Sequence, residues 1–445
     1  GILQATLDNG VQLYALPRDA KPGEVLLQLT LFKEPGLPPR GLPELAMAFQ
    51  AAGLGAHDAS QLRQIMAGHS IRISGPQIGY DRITFSASCL PGEVGLASEW
   101  LRALIEDPGW RPEPFERLRQ QLRERLAAAP YDLDWRLGDH WSLLTGSTMG
   151  EQRPLRANEL DGVRLVDLRQ WLEPQLQGAG MEVALVGDVG GDILMTLAET
   201  FATLPSRQMI DAIEDLTAPG ALPSTPPLPQ GDHRFTFDGT VARSIVRVAW
   251  PTDDEADIMF RRRMGLVGQA LREGLRERVR EELGQAYSPS AGHRGSLTIA
   301  GAGYLLAHMA VEPGQEAAVL AALDQAVADL QEHGVSDDLF DRLITPIRSS
   351  LVAYRDTNAY WLNSVVAGTS RRPQQLDWAS SMSQAYEEMT AAELTDLVRR
   401  YLIEDHRLLC IGTSTGAKNV DAEVDSESEA EAERTKEAEG TKVTK

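Results

Sequence analysis

Three short landmarks of this chain recur in the same order at a nearly fixed distance. Pro91-Gly92-Glu93 is answered by Pro313-Gly314-Gln315, an offset of 222 residues (313 less 91). Phe115-Glu116-Arg117-Leu118 is answered by Phe340-Asp341-Arg342-Leu343 at 225 (340 less 115), and Val186-Gly187 by Ile411-Gly412 at 225 (412 less 187). A near-constant offset across three landmarks argues for an internal duplication, so the two copies must share one fold. Each copy mixes strands with helices. The expectation is an α+β protein of two similar domains, each a mostly antiparallel sheet with helices on one side. At 445 residues the chain is also too long for one ordinary core.

The first copy opens on a hairpin, Thr6 to Leu16 around an Asn9-Gly10 turn. Val25, Leu27, Leu29 and Leu31 then alternate as a half-buried strand until Pro35, Gly36, Pro38 and Pro39 break the pattern. Helices are expected over 42–52, 59–67, 92–106, 112–128 and 165–176, and strands over 71–74 and 83–88. The buried run M-E-V-A-L-V-G at 181–187 closes the copy. Pro219, Gly220, Pro223, Pro226, Pro227 and Pro229 mark an extended linker. The chain thus divides into a first domain over 1–204, a linker over 205–232 and a second domain over 233–414. In the second domain a strand at 245–250, a long helix at 257–283 and glycine-interrupted strands within 287–311 are followed by helices at 315–332, 337–354 and 391–402. A strand at 407–412 closes it. Residues 415–445 change character: from Val420 onward Glu, Asp, Ser, Lys and Ala leave almost nothing to bury, which reads as a disordered acidic tail, solvating or used for docking.

The stretch L-R-E-R-V-R-E-E-L-G-Q-A-Y-S, Leu275 to Ser288, is where the long helix gives way to a strand. Val267, Leu271, Leu275, Val279 and Leu283 recur every four residues and lay one apolar stripe along the helix. Gly284 can take the left-handed conformation that ends it, leaving Arg280 on the last turn and Tyr287 after the turn able to face one space. A guanidinium fork and a phenol together could hold a peptide carbonyl and the oxyanion that grows from it. The residues alone allow a second reading: a solvated arginine at the negative end of a helix, and a strand tyrosine packed on the core. Spacing offers Arg278 a local partner in Glu282, whereas Arg280 has only Glu277, three residues before it.

Other chemistries are poorly supported. A formal net charge of −21 leaves no excess of Lys and Arg to displace phosphate counterions, which argues against nucleic acid. The histidines, at 57, 69, 140, 233, 293, 308, 333 and 406, never fall three or four apart, so neither H-E-x-x-H nor H-x-x-E-H occurs and no zinc site is expected in this chain. The glycines near Gly187 and Gly190 spell neither G-x-G-x-x-G nor a P-loop, and G-x-S-x-G is missing. Cys89 and Cys410, in apolar contexts without C-x-x-C, are expected to be buried free thiols. No run approaches a membrane span and the N-terminus lacks a basic-then-apolar signal, although a chain opening on Gly1 is consistent with a piece of something longer.

The duplicated α+β unit, the Pro-rich linker and R-E-E-L-G-Q-A-Y together resemble the M16 peptidases, the pitrilysin and insulinase family, over essentially Thr6 to Ser414. The resemblance implies one half of a bacterial-type clamshell that closes around an unfolded peptide. In that family one half carries H-x-x-E-H and zinc, while the other supplies an Arg and a Tyr that reach the substrate and the tetrahedral intermediate. Arg280 and Tyr287 match that pair and are the implied catalytic and substrate-binding residues. Aligned on Gly41-Leu42, the zinc positions are occupied here by Glu44, Met47 and Ala48. The chain is therefore expected to bind no metal, to be inactive alone, and to pair with a zinc-bearing H-x-x-E-H half, either a missing N-terminal part of the same chain or a separate subunit. The alternatives are an inactive scaffold, as the core proteins of a respiratory complex resemble peptidases, or a peptide-binding module using a sheet edge. A bacterial periplasm or cytoplasm would both suit it.

Overall fold

The computed structural model describes residues 1–146, 153–283 and 289–417. The expected hairpin forms: β1 (Leu3–Thr6) pairs antiparallel with β2 (Gln12–Pro17), Leu3 facing Ala15. Gly10 turns at φ 87°, where a Cβ is disfavoured, and Asn9 donates its side-chain amide to the carbonyl oxygens of Phe201 (2.8 Å) and Leu204 (3.0 Å). With β3 (Val25–Phe32), β4 (Arg72–Ile78), β5 (Arg82–Cys89) and β6 (Gly180–Gly187) the hairpin makes a six-stranded sheet in the order β1-β2-β6-β3-β5-β4. All pairs are antiparallel except β2 with β6.

The first copy's helices are α1 (Leu42–Leu45), α2 (Ala48–Ala51), α3 (Ala59–Ile65), α4 (Val94–Glu106), α5 (Pro112–Ala128), α6 (Leu133–Thr145), α7 (Leu165–Gly178) and α8 (Ile193–Phe201). The single helix expected over 42–52 is two short pieces, because the Phe49 N–H bonds back only to Ala46, a tighter turn that interrupts the α ladder. Two helices, α6 and α8, fall where none was expected. Asp132 caps α6 by accepting from the Trp135 N–H at 2.9 Å.

The second copy begins with β7 (Gly231–Phe237), which starts two residues inside the expected linker, and β8 (Ala242–Thr252). There follow α9 (Ile258–Leu283), β9 (Ser290–Gly295), β10 (Gly303–Val311), α10 (Glu316–His333), α11 (Asp337–Arg355) and α12 (Asn358–Trp361). A π-helical turn over Leu362–Val366, α13 (Gln375–Ser380), α14 (Met382–Glu388), α15 (Ala391–Tyr401) and β11 (Leu408–Thr415) complete it. Its sheet runs β7-β11-β8-β10-β9, with only β7 and β11 parallel. Strand for strand this repeats β2-β6-β3-β5-β4, so the duplication read from three landmarks is a duplication of topology.

The helices do not keep to one side of each sheet as expected. On the outer face of the first sheet, Tyr360, Val365 and Val366 of the second copy pack against Leu16, Ala184 and Val186. On the outer face of the second sheet, Leu133, Leu137 and Trp141 of α6 pack against Ile245, Ala249, Leu408 and Cys410. The reason lies in the closing strands. Every residue of β6 is buried, so both its faces need cover, and each copy lends the other a helical segment. Buried polar ties reinforce this exchange: Glu182 on β6 accepts from the Gly368 and Ser370 N–H groups (2.5 and 2.9 Å) and from Ser370 Oγ (2.5 Å). Cys89 and Cys410 are free and buried, as expected.

Candidate functional site

Helix α9 carries the first member of the predicted pair. Val267, Leu271, Leu275 and Val279 are 0–1% exposed and form the core with Val248, Trp250 and Leu305 of the sheet, so the four-residue stripe is the buried face. Gly268 lets the helix lie directly on β9, since a Cβ there would come within 2.6 Å of Gly292 Cα. Val279 pointing inward sends Arg280, one position on, to solvent on the last turn, where the negative end of the helix favours a guanidinium.

The charges around Arg280 are settled by other elements. Arg276 pairs with Glu273 at 2.7 Å, and Arg278 donates from Nε to Asp329 of α10 at 3.0 Å, a partner that helical spacing could not reveal. Glu277, the one local carboxylate the sequence offered Arg280, instead lies 3.7 Å from Arg342 of α11. Arg280 is left with no ion pair or hydrogen bond among the described residues. An exposed, uncommitted guanidinium is available to an incoming carbonyl or oxyanion. The glycine stop at Gly284, the pair's second member Tyr287 and the tail over Val420–Lys445 lie outside the described residues, as does the side chain of Leu283.

At the positions that answer a zinc motif, the first copy presents a carboxylate, a thioether and a methyl group. Met47 is 59% exposed in the break between α1 and α2, Ala48 is buried, and Glu44 points one buried carboxylate oxygen at no hydrogen-bond partner. This set does not fit zinc, which takes imidazole, thiolate or several carboxylate ligands in a tetrahedron. No group of three His, Cys, Asp or Glu among the described residues is placed to hold a metal ion. The entry to α1 is held instead by Arg40, which donates to Glu159 (2.9 Å) and to the Arg153 and Pro154 carbonyls (2.6 and 3.0 Å). Burial pushes the Glu159 carboxyl up, but the Arg40 bond, the Arg156 N–H and the Arg153 charge outweigh it and hold it at about 2.

Residues 163–346 match the family model of the Peptidase M16 inactive domain. A comparison with curated proteins finds no match. Among solved structures, the peptidase M16 inactive domain from Pseudomonas fluorescens is similar over 94% of this chain and 100% of its own, with a TM-score of 0.76 at 15% identity. The periplasmic protease PqqL from Escherichia coli has a TM-score of 0.71 at 17% identity, covering 93% of this chain and 45% of its own. The ferredoxin protease FusC, in complex with Arabidopsis ferredoxin, has a TM-score of 0.74 at 15% identity and the same two coverages, 93% and 45%. No helix among the described residues is long and apolar enough to cross a membrane. At such identities the structures speak for the fold: residues 163–346 carry the match to the Peptidase M16 inactive domain, and the chain as a whole has the fold of the M16 inactive-domain structure.

Proposed function

We propose that this chain is the non-zinc half of an M16 metalloendopeptidase, which binds an unfolded peptide and stabilises the tetrahedral intermediate in a chamber completed by an H-x-x-E-H half. The observation that carries the reading is Arg280. It sits seven residues before Tyr287 in R-E-E-L-G-Q-A-Y, is exposed at the end of a rigidly packed helix, and is uncommitted among the described residues. In this reading Arg280 donates from its guanidinium fork to the scissile carbonyl oxygen, and the Tyr287 phenol donates to the same atom as negative charge grows on it. The metal belongs to the partner half, because Glu44, Met47 and Ala48 do not fit one. The division of labour explains why this chain alone would be inactive, since the oxyanion donors and the activated water sit on different pieces. Two similar structures, PqqL and FusC, are proteases in which this chain answers 45% of the length, and one of them is periplasmic, which suits a half-enzyme outside or inside the cytoplasm.

The test is hydrolysis of an unstructured fluorogenic peptide by this chain alone and by its mixture with an H-x-x-E-H half, with zinc analysis of both. Activity is expected only in the zinc-loaded mixture, and Arg280→Ala or Tyr287→Phe should lower turnover by ~10²–10³, the usual loss on removing an oxyanion donor. A stable zinc-loaded mixture without activity would assign the chain to scaffolding, and activity of the chain alone would place the site elsewhere.

A further inference from the structure

Where the two copies meet, a cavity of 660 Å³ opens between the β4–β5 turn of the first and α9, the π-helical turn and α13–α14 of the second. Its charge runs against the chain's. In a protein of net charge −21, the guanidiniums of Arg82, Arg261, Arg262 and Arg372 line this space with Asp81 as the one lining carboxylate among the described residues. Asp81 is already shared, accepting from Arg82 Nε (2.9 Å) and from Arg372 Nη2 (2.9 Å), and Arg261 turns to Glu255 at 3.2 Å.

Two of these cations are buried, one incompletely bonded and the other without a carboxylate partner among the described residues. The Arg372 side chain is 5% exposed, and its Nε–H has no hydrogen-bond partner. Arg262, equally deep, has only neutral acceptors among the described residues, the Trp378 carbonyl at 2.6 Å and the Met259 sulfur at 3.7 Å, beside the Tyr386 ring. Burial, and for Arg372 the neighbouring Arg82 charge, push both guanidiniums down, Arg372 to about 10, while the arginines hold Asp81 below the usual carboxylate range against its burial. The arginines' hold on Asp81 and the push of Arg82 on Arg372 reflect surplus positive charge along the cavity wall, and the shift of Arg262 reflects its burial. An unpaired buried charge is costly, and its cost is met when an anion completes the site. The rest of the wall mixes aromatic and apolar residues, among them Tyr360, Trp378 and Tyr386, with the neutral polar Gln269, Thr298 and Gln375 and the exposed Asn363 and Ser364 of the π-helical turn. Pockets of about 300–1,000 Å³ with such a lining hold small organic ligands, and π-helical turns recur at functional sites.

We propose that this cavity binds a small organic oxyanion, a carboxylate or phosphate carried on a flat apolar body, with Arg262 and Arg372 holding the anionic group and Tyr360, Trp378 and Tyr386 covering the body. The site is independent of the peptidase reading: Arg280 lies eighteen residues beyond Arg262 on the same helix, ~27 Å away at the helical rise.

Isothermal titration of the full chain with hippurate, phenyl phosphate and the neutral isostere hippuramide tests it. At least one anion should bind at least about tenfold more tightly than hippuramide, and the stronger of the two identifies the oxyanion. Ser364→Trp should obstruct the cavity and abolish binding with an unchanged unfolding midpoint. Arg261→Gln, at an exposed position that leaves the fold alone, should weaken the anion several-fold and leave hippuramide unaffected. The proposal is overturned by no binding of either anion at about 1 mM, by equal binding of hippuramide, or by anion affinity that both variants leave untouched.

Discussion

Glu182 should govern both how firmly the two copies are joined and how that junction responds to pH. Its carboxylate is fully buried on β6, yet its hydrogen bonds go to the other copy, to the Gly368 N–H, the Ser370 N–H and the Ser370 hydroxyl. Glu182→Ala removes the acceptor for three buried donors. Each orphaned donor costs about 1–3 kcal/mol, and the vacated space can admit water, so the lower end applies and the total loss is about 3 kcal/mol. Set against a usual stability of about 5–15 kcal/mol, that is a large fraction. Burial raises the Glu182 carboxyl above its ordinary value, which fixes the sign of the pH effect. A raised acid contributes stability that is fully present below its unfolded value, about 4.3, and is lost as pH rises through the folded one. Urea unfolding followed by tryptophan fluorescence, on wild type, Glu182→Ala and Glu182→Gln at several pH values above 4.5, reads both effects. The stability advantage of wild type over Glu182→Gln should shrink as pH rises. A Glu182→Ala midpoint within about 1 kcal/mol of wild type, or an advantage that grows with pH, would refute the reasoning.

Three further expectations test other parts of the chain. Leu271→Ala, at a fully buried position on the α9 stripe, should cost about 2–5 kcal/mol by the same urea assay, and a loss under 1 kcal/mol would mean that α9 is not the core helix of its copy. Burial pushes the Cys89 thiol up to about 12, with help from Glu93, and the Cys410 thiol up to about 11, so iodoacetamide at pH 8 should label neither in the native protein and both in urea, as read by mass. Glu159 has the opposite sign from Glu182: its depressed carboxyl contributes stability above its unfolded value of about 4.3 that is lost as pH falls toward about 2, so Glu159→Gln should be less stable than wild type at pH 7 and no different near pH 2.

The sequence carried the repeated elements well and the cover between them poorly, for one physical reason. Strands such as Val25–Phe32 and helices such as α9 have their periodicity imposed by a core within their own copy, and that imprint is local. The segment from Asn358 to Glu388 and α6 are shaped by a sheet more than a hundred residues away, so their apolar residues follow the partner surface more than a regular stripe. The same distance hid the Asp81–Arg372 pair, which spans 291 positions, and the capture of Glu277 by Arg342. One signal was legible in retrospect. The run Met181 to Gly187 has no polar face apart from Glu182, and an α+β sheet with helices on one side only cannot contain such a strand at its centre.

That strand also explains why the cavity lies where it does. Covering both faces of β6 obliges the second copy to send Tyr360 to Ala379 across the junction, and a segment that leaves its own domain must satisfy its polar groups on arrival. Glu182 meets the Gly368 and Ser370 amides, and Asp81 meets Arg372. Arg371 donates to the Asp211 main-chain carbonyl at the surface, and Arg262, contributed by α9 from the opposite wall, is buried without a carboxylate among the described residues. A junction made merely for stability would favour an apolar residue at that position, because a well-packed hydrophobic side chain avoids the desolvation of a buried charge. The burial of Arg262 in the wall of the cavity that the Asp81–Arg372 pair also lines is therefore the feature of the interface that stability does not account for, and an anion supplied from solution is what would.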